Sequence, residues 1–325
     1  MNNDNRNRVV RLRKKGKMAL GGALKLILIV GICFVILFPI FLMISSSVKT
    51  ASDMYDDTVV WITRKTSPSI IWENIIDSMR LLDYWPSMGR TLLYVFIMTS
   101  LQVVSSCMIG YGLARFNFRL KNLIFTLVVL TIIVPPFTTI LPTYLNFANF
   151  NLFGLLDVLG IKLTLLEKHW PSALLSATGF GLKSGLFIFI MKQFFGGLPK
   201  ELEEAASLDG CGAFSTFARI ILPSAGGAIL TVSLFSIVWQ YSDTFYSSIF
   251  MTRTELIIKQ LYSIQAKFTY LITTGKEFFP NNRVAMDGTI LIQMSALLTI
   301  LPLLILYVVL QRYFVESISR TGIVE

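Results

Sequence analysis

Glu201-Leu-Glu-Glu-Ala-Ala-Ser-Leu-Asp-Gly210, continued through Phe217-Ala-Arg-Ile-Ile-Leu-Pro223, is an acidic, strongly helical stretch set between two long apolar runs. Turning a chain around at a membrane surface requires no such helix. A short amphipathic helix closed by Asp-Gly is suited to meeting a partner on one side of a bilayer. The runs that flank it decide what kind of chain this is.

Of the 325 residues, 54% are hydrophobic and 15% charged, with a mean hydropathy of +0.66. Soluble domains carry about 25% charged residues. The apolar residues gather into six runs, roughly 26–47, 91–114, 122–145, 171–192, 220–242 and 289–310. Each approaches the length that crosses a hydrocarbon core about 30 Å thick. The third and fourth are interrupted. Pro135, Pro136 and Pro142 disrupt the third, and Gly179, Gly181 and Gly185 surround Lys183 in the fourth. The expected fold is an all-α membrane protein with six transmembrane helices. A basic tail, 1–25, precedes one membrane domain, 26–325, with its core at about 86–312.

Orientation follows from Lys and Arg near the span ends. Residues 1–25 carry eight bases, including Arg11, Arg13, Lys14, Lys15 and Lys17, which places the N-terminus in the cytoplasm. Six spans then return the C-terminus to the same side. Arg115, Arg119 and Lys121 mark a second cytoplasmic loop, whereas the outer segment 48–90 holds six acids against five bases. The net charge of +10 reads as this bias plus attraction to anionic lipid headgroups, not as a nucleic-acid surface. The first run is too long for a signal-peptide core and has no small-x-small site after it.

Other chemistry is sparse. Cys33 and Cys107 lie inside runs and Cys211 in an inner loop, so no disulfide framework is implied. His169, the sole histidine, has no metal-ligand neighbours and reads as a water-facing loop residue. No phosphate-binding Gly-Lys-Ser/Thr loop, Gly-x-Ser-x-Gly or His-Glu-x-x-His occurs. An enzyme is therefore not expected. An ion-coupled secondary transporter is the main rival, but it calls for half-repeats and midplane carboxylates. No repeat is seen, and Asp243 is the only acid near a span interior.

The two long outer segments differ. In 48–90, Trp61, Trp72, Tyr84 and Trp85 suggest interfacial helices, with a plain aromatic belt as the alternative. In 243–288, Leu256, Ile257, Gln260, Leu261 and Ile264 recur at helical spacing and predict an amphipathic surface helix. The inner segment 196–219 is the distinctive one. Pro199 suits a first helical turn, and Glu201, Glu203 and Glu204 complement the positive end of the helix dipole. Ala205 and Ala206 permit close backbone approach. Leu198, Leu202 and Ala206 share one face, and Glu201, Glu204 and Leu208 another. Asp209-Gly210 supplies a stop in which Gly takes the left-handed conformation. A second helix is expected from Ala213, with Phe214, Phe217 and Ile221 on a common side, and Pro223 bends the entry to the fifth span.

Glu204-Ala-Ala-x-x-Asp-Gly210, followed by Phe217, Ile220 and Leu222-Pro223, resembles the signature loop of permease subunits in binding-protein-dependent ABC importers. The wider stretch from Phe194-Phe195 to Ala206 is similar to the carbohydrate branch, in particular the smaller maltose-type permease subunit. Pro39 through Lys49-Thr50, Gly112-Leu-Ala-Arg-Phe116 and Gln311-Arg-Tyr-Phe-Val315 resemble, in order, that family's first-span exit, second-span end and C-terminal tail. The departures are Cys211 for the usual Ala, Gly227 where a second Pro is common, and a tail without the Gly-rich finish. Gly227 predicts a straighter start to the fifth span.

The resemblance implies a type I importer permease fold (MetI-like) in a bacterial cell membrane. It also implies partners: a second related permease, two ABC ATPases, an extracellular substrate-binding protein and the lipid bilayer, with no nucleic acid. The chain itself would bind no cofactor or metal, ATP and Mg being used by the ATPases. Glu201, Glu204, Ala205, Ala206, Asp209, Gly210, Leu222 and Pro223 would form the ATPase-coupling loop. The solute would be a sugar or oligosaccharide, with a non-sugar solute as the alternative. Gln102, Lys183, Gln240, Asp243 and Gln293 are the polar residues within or beside spans and so are the pathway candidates. Interhelical hydrogen bonds are the competing reading for the glutamines and Asp243. For Lys183 the alternatives are snorkelling or a shifted span that puts it at the outer rim.

Overall fold

The computed structural model describes residues 3–61, 63–64, 67–151, 154, 158, 160, 162–274 and 288–321. Side-chain surroundings are described within that set for Met18 and from Leu20 to Arg312. The side chains of the basic cluster Arg11–Lys17, those of the tail beyond Arg312, and residues 275–287 of the second outer segment lie outside it.

The described residues form helices and no strand. In chain order these are α1 (Asn3–Ser47), α2 (Ala51–Met54), α3 (Pro68–Leu81), α4 (Tyr84–Arg115), α5 (Lys121–Ile133), α6 (Pro136–Ala148), α7 (Trp170–Thr178) and α8 (Ser184–Gly197). After these come α9 (Glu201–Leu208), α10 (Ala213–Thr216), a π-turn (Phe217–Ile221) and α11 (Leu222–Ser224). The last four are α12 (Gly226–Ser242), α13 (Phe245–Phe250), α14 (Ile257–Thr273) and α15 (Gly288–Thr321).

Three stretches are uninterrupted and apolar enough to cross a membrane: Leu20–Ser47, Tyr84–Arg115 and Gly288–Arg312. Two further expected runs are bent pairs. α5 and α6 meet at 105°, and the helical stretch Ala213–Ser224 meets α12 at 77°. The fourth expected run is divided into α7 and α8. The prolines account for the first bend, since Pro135 takes an extended conformation and Pro136 opens the next helix. Pro142, expected to disrupt as well, is absorbed inside α6.

The chain divides into two compact units, Met1–Met79 with Lys267–Leu298 and Arg80–Ala266 with Thr299–Glu325. In the first, α1 leaves the apolar side chains of Leu20–Ser47 facing outward, as a lipid-crossing helix should. Its exit is a buried polar junction. The Lys49 ammonium donates to the Val59 carbonyl at 2.6 Å. The Asn74 amide donates to the carbonyls of Ser47 and Lys49 at 3.0 and 3.3 Å, and the Thr50 hydroxyl caps α2 by accepting from the Asp53 N–H. Trp61 and Trp72 are exposed, as an aromatic belt requires.

In the second unit α4 packs along α8. Gly110 makes that approach possible: a Cβ there would lie 2.7 Å from the Met191 Cβ and 3.0 Å from the Lys192 nitrogen. Around it Cys107, Tyr111, Phe187, Met191, Phe195, Phe217 and Ile221 form one buried cluster. Of the outer aromatics, Tyr84 is buried here and meets exposed Trp85 edge-on, with centroids 5.2 Å apart. Leu256, just before α14, and Ile257, Gln260 and Ile264 on it are buried, while Leu261, expected on the same face from the period, is half-buried. Lys259 on that helix donates to the carbonyls of Met251, Thr252 and Thr254 at 2.6, 3.1 and 3.0 Å. It thereby satisfies orphan acceptors beyond the end of α13.

Gly110→Ala should lower the stability of the purified permease by about 1–3 kcal/mol through overpacking. Gly112→Ala, where no heavy atom lies within 4 Å of the added Cβ, should be neutral or mildly stabilising. Thermal unfolding in detergent compares the two.

Candidate functional site

The elbow begins where α8 ends at Gly197. The first carbonyl to accept helical bonds is that of Lys200, from the N–H groups of Glu203 and Glu204 at 3.0 and 3.1 Å. Pro199 therefore stands just before the first turn, outside the place expected for it within that turn. At the other end Gly210 has φ 78°. The Cys211 N–H bonds the Ala206 carbonyl at 2.9 Å and the Gly210 N–H bonds the Ser207 carbonyl at 3.1 Å, the paired pattern of a Schellman stop. Space around Gly210 is open, so backbone torsion alone is what requires glycine there.

Arg115, the last residue of α4, holds this elbow. Its side chain is 5% exposed, and its Nε lies 3.2 Å from Oε1 of Glu203. One Nη donates to the Leu198 carbonyl at 2.6 Å. The guanidinium fork thus ties the end of α8 and the first turn of α9 to α4. Beneath it, Tyr111 meets Phe195 edge-on at 5.6 Å and lies 4.7 Å from Phe217. Neither Arg115 nor Glu203 was singled out for this site from the sequence. The available signals were an arginine closing Gly112-Leu-Ala-Arg115 and, more than eighty residues later, a helix start carrying three glutamates.

The outward side of the elbow is different. Glu201, Glu204, Ala205, Asp209 and Gly210 are exposed while Ala206 is buried. Leu208 is 90% exposed and Phe214 77%. Phe214 therefore does not share the buried side of Phe217 and Ile221 as its spacing suggested. α10 ends after one turn, and the wider π-turn that follows changes the register. In that turn the Leu222 N–H bonds the Phe217 carbonyl. Pro223 has no N–H to give to the turn below it, and the Ser224 hydroxyl bonds the Ile220 carbonyl at 2.7 Å. Leu222 is half-buried, Pro223 is exposed, and the chain turns at Ala225–Gly226. The straighter entry expected from Gly227 is not realised. The bend is 77°, because the π-turn and Pro223 produce it without a second proline.

Deeper in the unit, Gln102 is fully buried. Its Nε2 donates to the Leu182 carbonyl at 2.6 Å and the Ser184 Oγ at 2.9 Å. Its Oε1 accepts from Ser236 Oγ at 2.7 Å and Gln240 Nε2 at 3.3 Å. All four bonding positions of the amide are filled from within the chain. Gln102 is an interhelical tie across α4, α8 and α12 rather than a free group lining a path. Asp243 also faces inward, accepting from the backbone N–H groups of Tyr246 and Ser247 at 3.2 and 2.9 Å and so capping α13. Gln240 and Asp243 do share a cleft with Tyr94, Ser172 and Tyr246. Gln293 belongs to the other unit and is half-buried on α15. His169 is exposed at one edge, with Nδ1 3.1 Å from the Met251 sulfur and its ring 5.5 Å from Tyr94.

Lys183 occupies the break between α7 and α8 in a left-handed conformation, φ 60°. Its flanking residues Leu182 and Ser184 are the ones bonded to Gln102. Gln102 lies midway along the run 91–114, about 17 Å from either end at 1.5 Å per residue. Lys183 therefore stands beside the middle of that run.

A helical unit broken inside the bilayer, with a rigid elbow at one end, defines a transport permease. The chain belongs to the family described as binding-protein-dependent transport system inner membrane component, whose model matches residues 106–320. Curated relatives agree. The arabinooligosaccharides transport system permease protein AraQ of Halalkalibacterium halodurans is 23% identical over 293 residues, covering 90% of this chain and 92% of the relative. The maltodextrin transport system permease protein MalD of Streptococcus pneumoniae is 24% identical over 312 residues, covering 95% and 97%. The osmoprotective compounds uptake permease protein GgtD of Synechocystis is 25% identical over 301 residues, covering 90% and 89%. Among solved structures, a bacterial ABC transporter involved in the import of the acidic polysaccharide alginate matches with a TM-score of 0.67. It is 18% identical and covers 91% of this chain and 97% of the other, so the likeness is one of fold.

Arg115→Lys keeps the charge but loses the two-pronged fork. Hydrogen exchange across 199–210 should then rise by about tenfold, the equivalent of about 1.4 kcal/mol of local opening, while α4 and α12 stay protected. Unchanged exchange in the elbow would show that Arg115 does not hold it.

Proposed function

We propose that this chain is one of two permease subunits of an ATP-driven importer. In this reading the 196–219 loop docks on an ABC ATPase, and the solute is a sugar or oligosaccharide delivered by an extracellular binding protein. The observation that carries the docking is the two-sided elbow. Its inner side is ion-paired and packed, whereas its outer side offers Leu208 and Phe214 to solvent beside Glu201 and Glu204. Apolar anchors ringed by charge are the composition of a protein-binding patch. ATP and Mg belong to the ATPase in this reading, and the permease contributes motion.

The elbow has the stiffness a lever needs. Arg115 ties it to α4, and Phe217 and Ile221 seat it on α8. A push on Leu208 or Phe214 then reaches α12 through the bend at Ala225–Gly226. An importer requires only that such a push change the relative stability of two states. Glu204 on the outer side pairs with basic or amide groups of the ATPase, and Gly210 permits the turn. The termini lie in the cytoplasm, on the side of the loop that carries Arg115, Arg119 and Lys121.

Sugar as the solute is supported by AraQ and MalD, named for the transport of arabinooligosaccharides and maltodextrin. GgtD, named for osmoprotective compounds, favours a second reading in which the solute is an osmoprotective compound. Both keep the same machine.

Glu204→Lys should abolish co-purification of the ATPase or uncouple its hydrolysis from uptake, with the permease still folded. Leu208→Asp should do the same by placing charge in an apolar contact. Gly210→Val should impair coupling more than Gly210→Asn, because a β-branched residue resists positive φ while Asn tolerates it. Wild-type uptake and ATPase binding by Glu204→Lys would sink the docking assignment.

A further inference from the structure

Among the described residues, Lys183 is a charged group that the elbow and the Gln102 tie leave without a task. Its side chain is exposed, and it stands between the two residues bonded to Gln102, near the middle of the apolar run 91–114, where a four-carbon stem does not reach either end by snorkelling. Among the described residues it makes no ion pair. Its described partner is the Trp239 ring, with Nζ 5.8 Å from the centroid. A bare cation against hydrocarbon is strongly disfavoured, so such a group faces a water-filled passage or a partner.

The surroundings are built rather than incidental. Trp239 stacks on Phe235 with centroids 5.7 Å apart and on Phe187 at 5.6 Å, giving an aromatic ledge beside the ammonium. The backbone at Lys183 is held in its left-handed conformation by bonds from both sides. The Ser184 N–H reaches the Gly181 carbonyl at 3.0 Å, and the Leu186 N–H reaches that of Lys183 at 3.0 Å. Gln102 fixes Leu182 and Ser184. A lysine in that conformation is strained, and strain of this kind collects at functional sites.

We propose that Lys183, Trp239 and Phe235 form a solute subsite on the translocation path, and that it selects anionic saccharides. The apolar face of a sugar ring lies on the Trp239–Phe235 ledge while its carboxylate takes hydrogen bonds from the Lys183 ammonium. In the empty state the cation–π contact holds the ammonium in place. A carboxylate displaces it with a stronger, charge-assisted bond. This inference rests on the sugar reading above and deepens it.

The test uses the complete importer in proteoliposomes with its binding protein, supplied with labelled oligouronates and neutral oligosaccharides of matched length. The intact importer should carry the oligouronate. Lys183→Gln should reduce that uptake about tenfold, as expected for a lost bond to a charged group, with the subunits still co-purifying. Lys183→Arg should retain most of it. Transport of neutral oligosaccharides alone would overturn the subsite and leave sugar import standing. So would unchanged oligouronate uptake by Lys183→Gln, or loss of the second permease from that variant, which would mark Lys183 as an ion-pair partner between subunits. If no saccharide of either charge is carried, the sugar reading fails and this subsite fails with it.

Discussion

A backbone interrupted inside a bilayer must find its hydrogen-bond partners within the protein, because hydrocarbon supplies none. That constraint governs this permease. The apolar run at 171–192 breaks at 179–183, and the released Leu182 carbonyl is bonded at 2.6 Å by Gln102. The same amide holds Ser184 at the start of α8 and is held in turn by Ser236 and Gln240 of α12. One buried side chain therefore makes the break tolerable and joins three helices at the depth where it occurs. The exposed lysine and its aromatic ledge depend on that arrangement, since Lys183 sits between the two residues Gln102 restrains.

At the elbow end a guanidinium does comparable work with charge. Arg115 reaches a carbonyl on one side and Glu203 on the other, so the chain between α8 and α9 cannot swing freely. Burial makes the geometry matter: removing one partner of a buried pair leaves the other charge uncompensated. The π-turn and Pro223 then redirect the chain by 77° into α12. Rigidity below and a defined bend above are the mechanical requirements for passing a push from the elbow to a span.

Much of this was legible in the sequence. Hydropathy located the runs, Pro135-Pro136 announced the bend in the third, and Asp209-Gly210 announced a left-handed stop. The period of 256–264 identified the buried face of α14. Other features were hidden for definite reasons. Glu203 stands among three glutamates within four residues, and which of the three turns inward is decided by Arg115, more than eighty residues earlier. Phe214 has correct spacing for burial, yet a π-turn immediately after it shifts the register that spacing assumes. Gln102 read as polar residues in spans read generally; only its four contacts distinguish a tie from a pathway group. The long-range partner, not the local pattern, carried the missing information in each case.

The outward-facing pair Leu208 and Phe214 has a further consequence for the isolated subunit. Both side chains lie open to water, 90% and 77% exposed, and uncovered apolar surface favours association. A copy purified alone therefore carries an apolar patch that promotes self-association until another surface covers it.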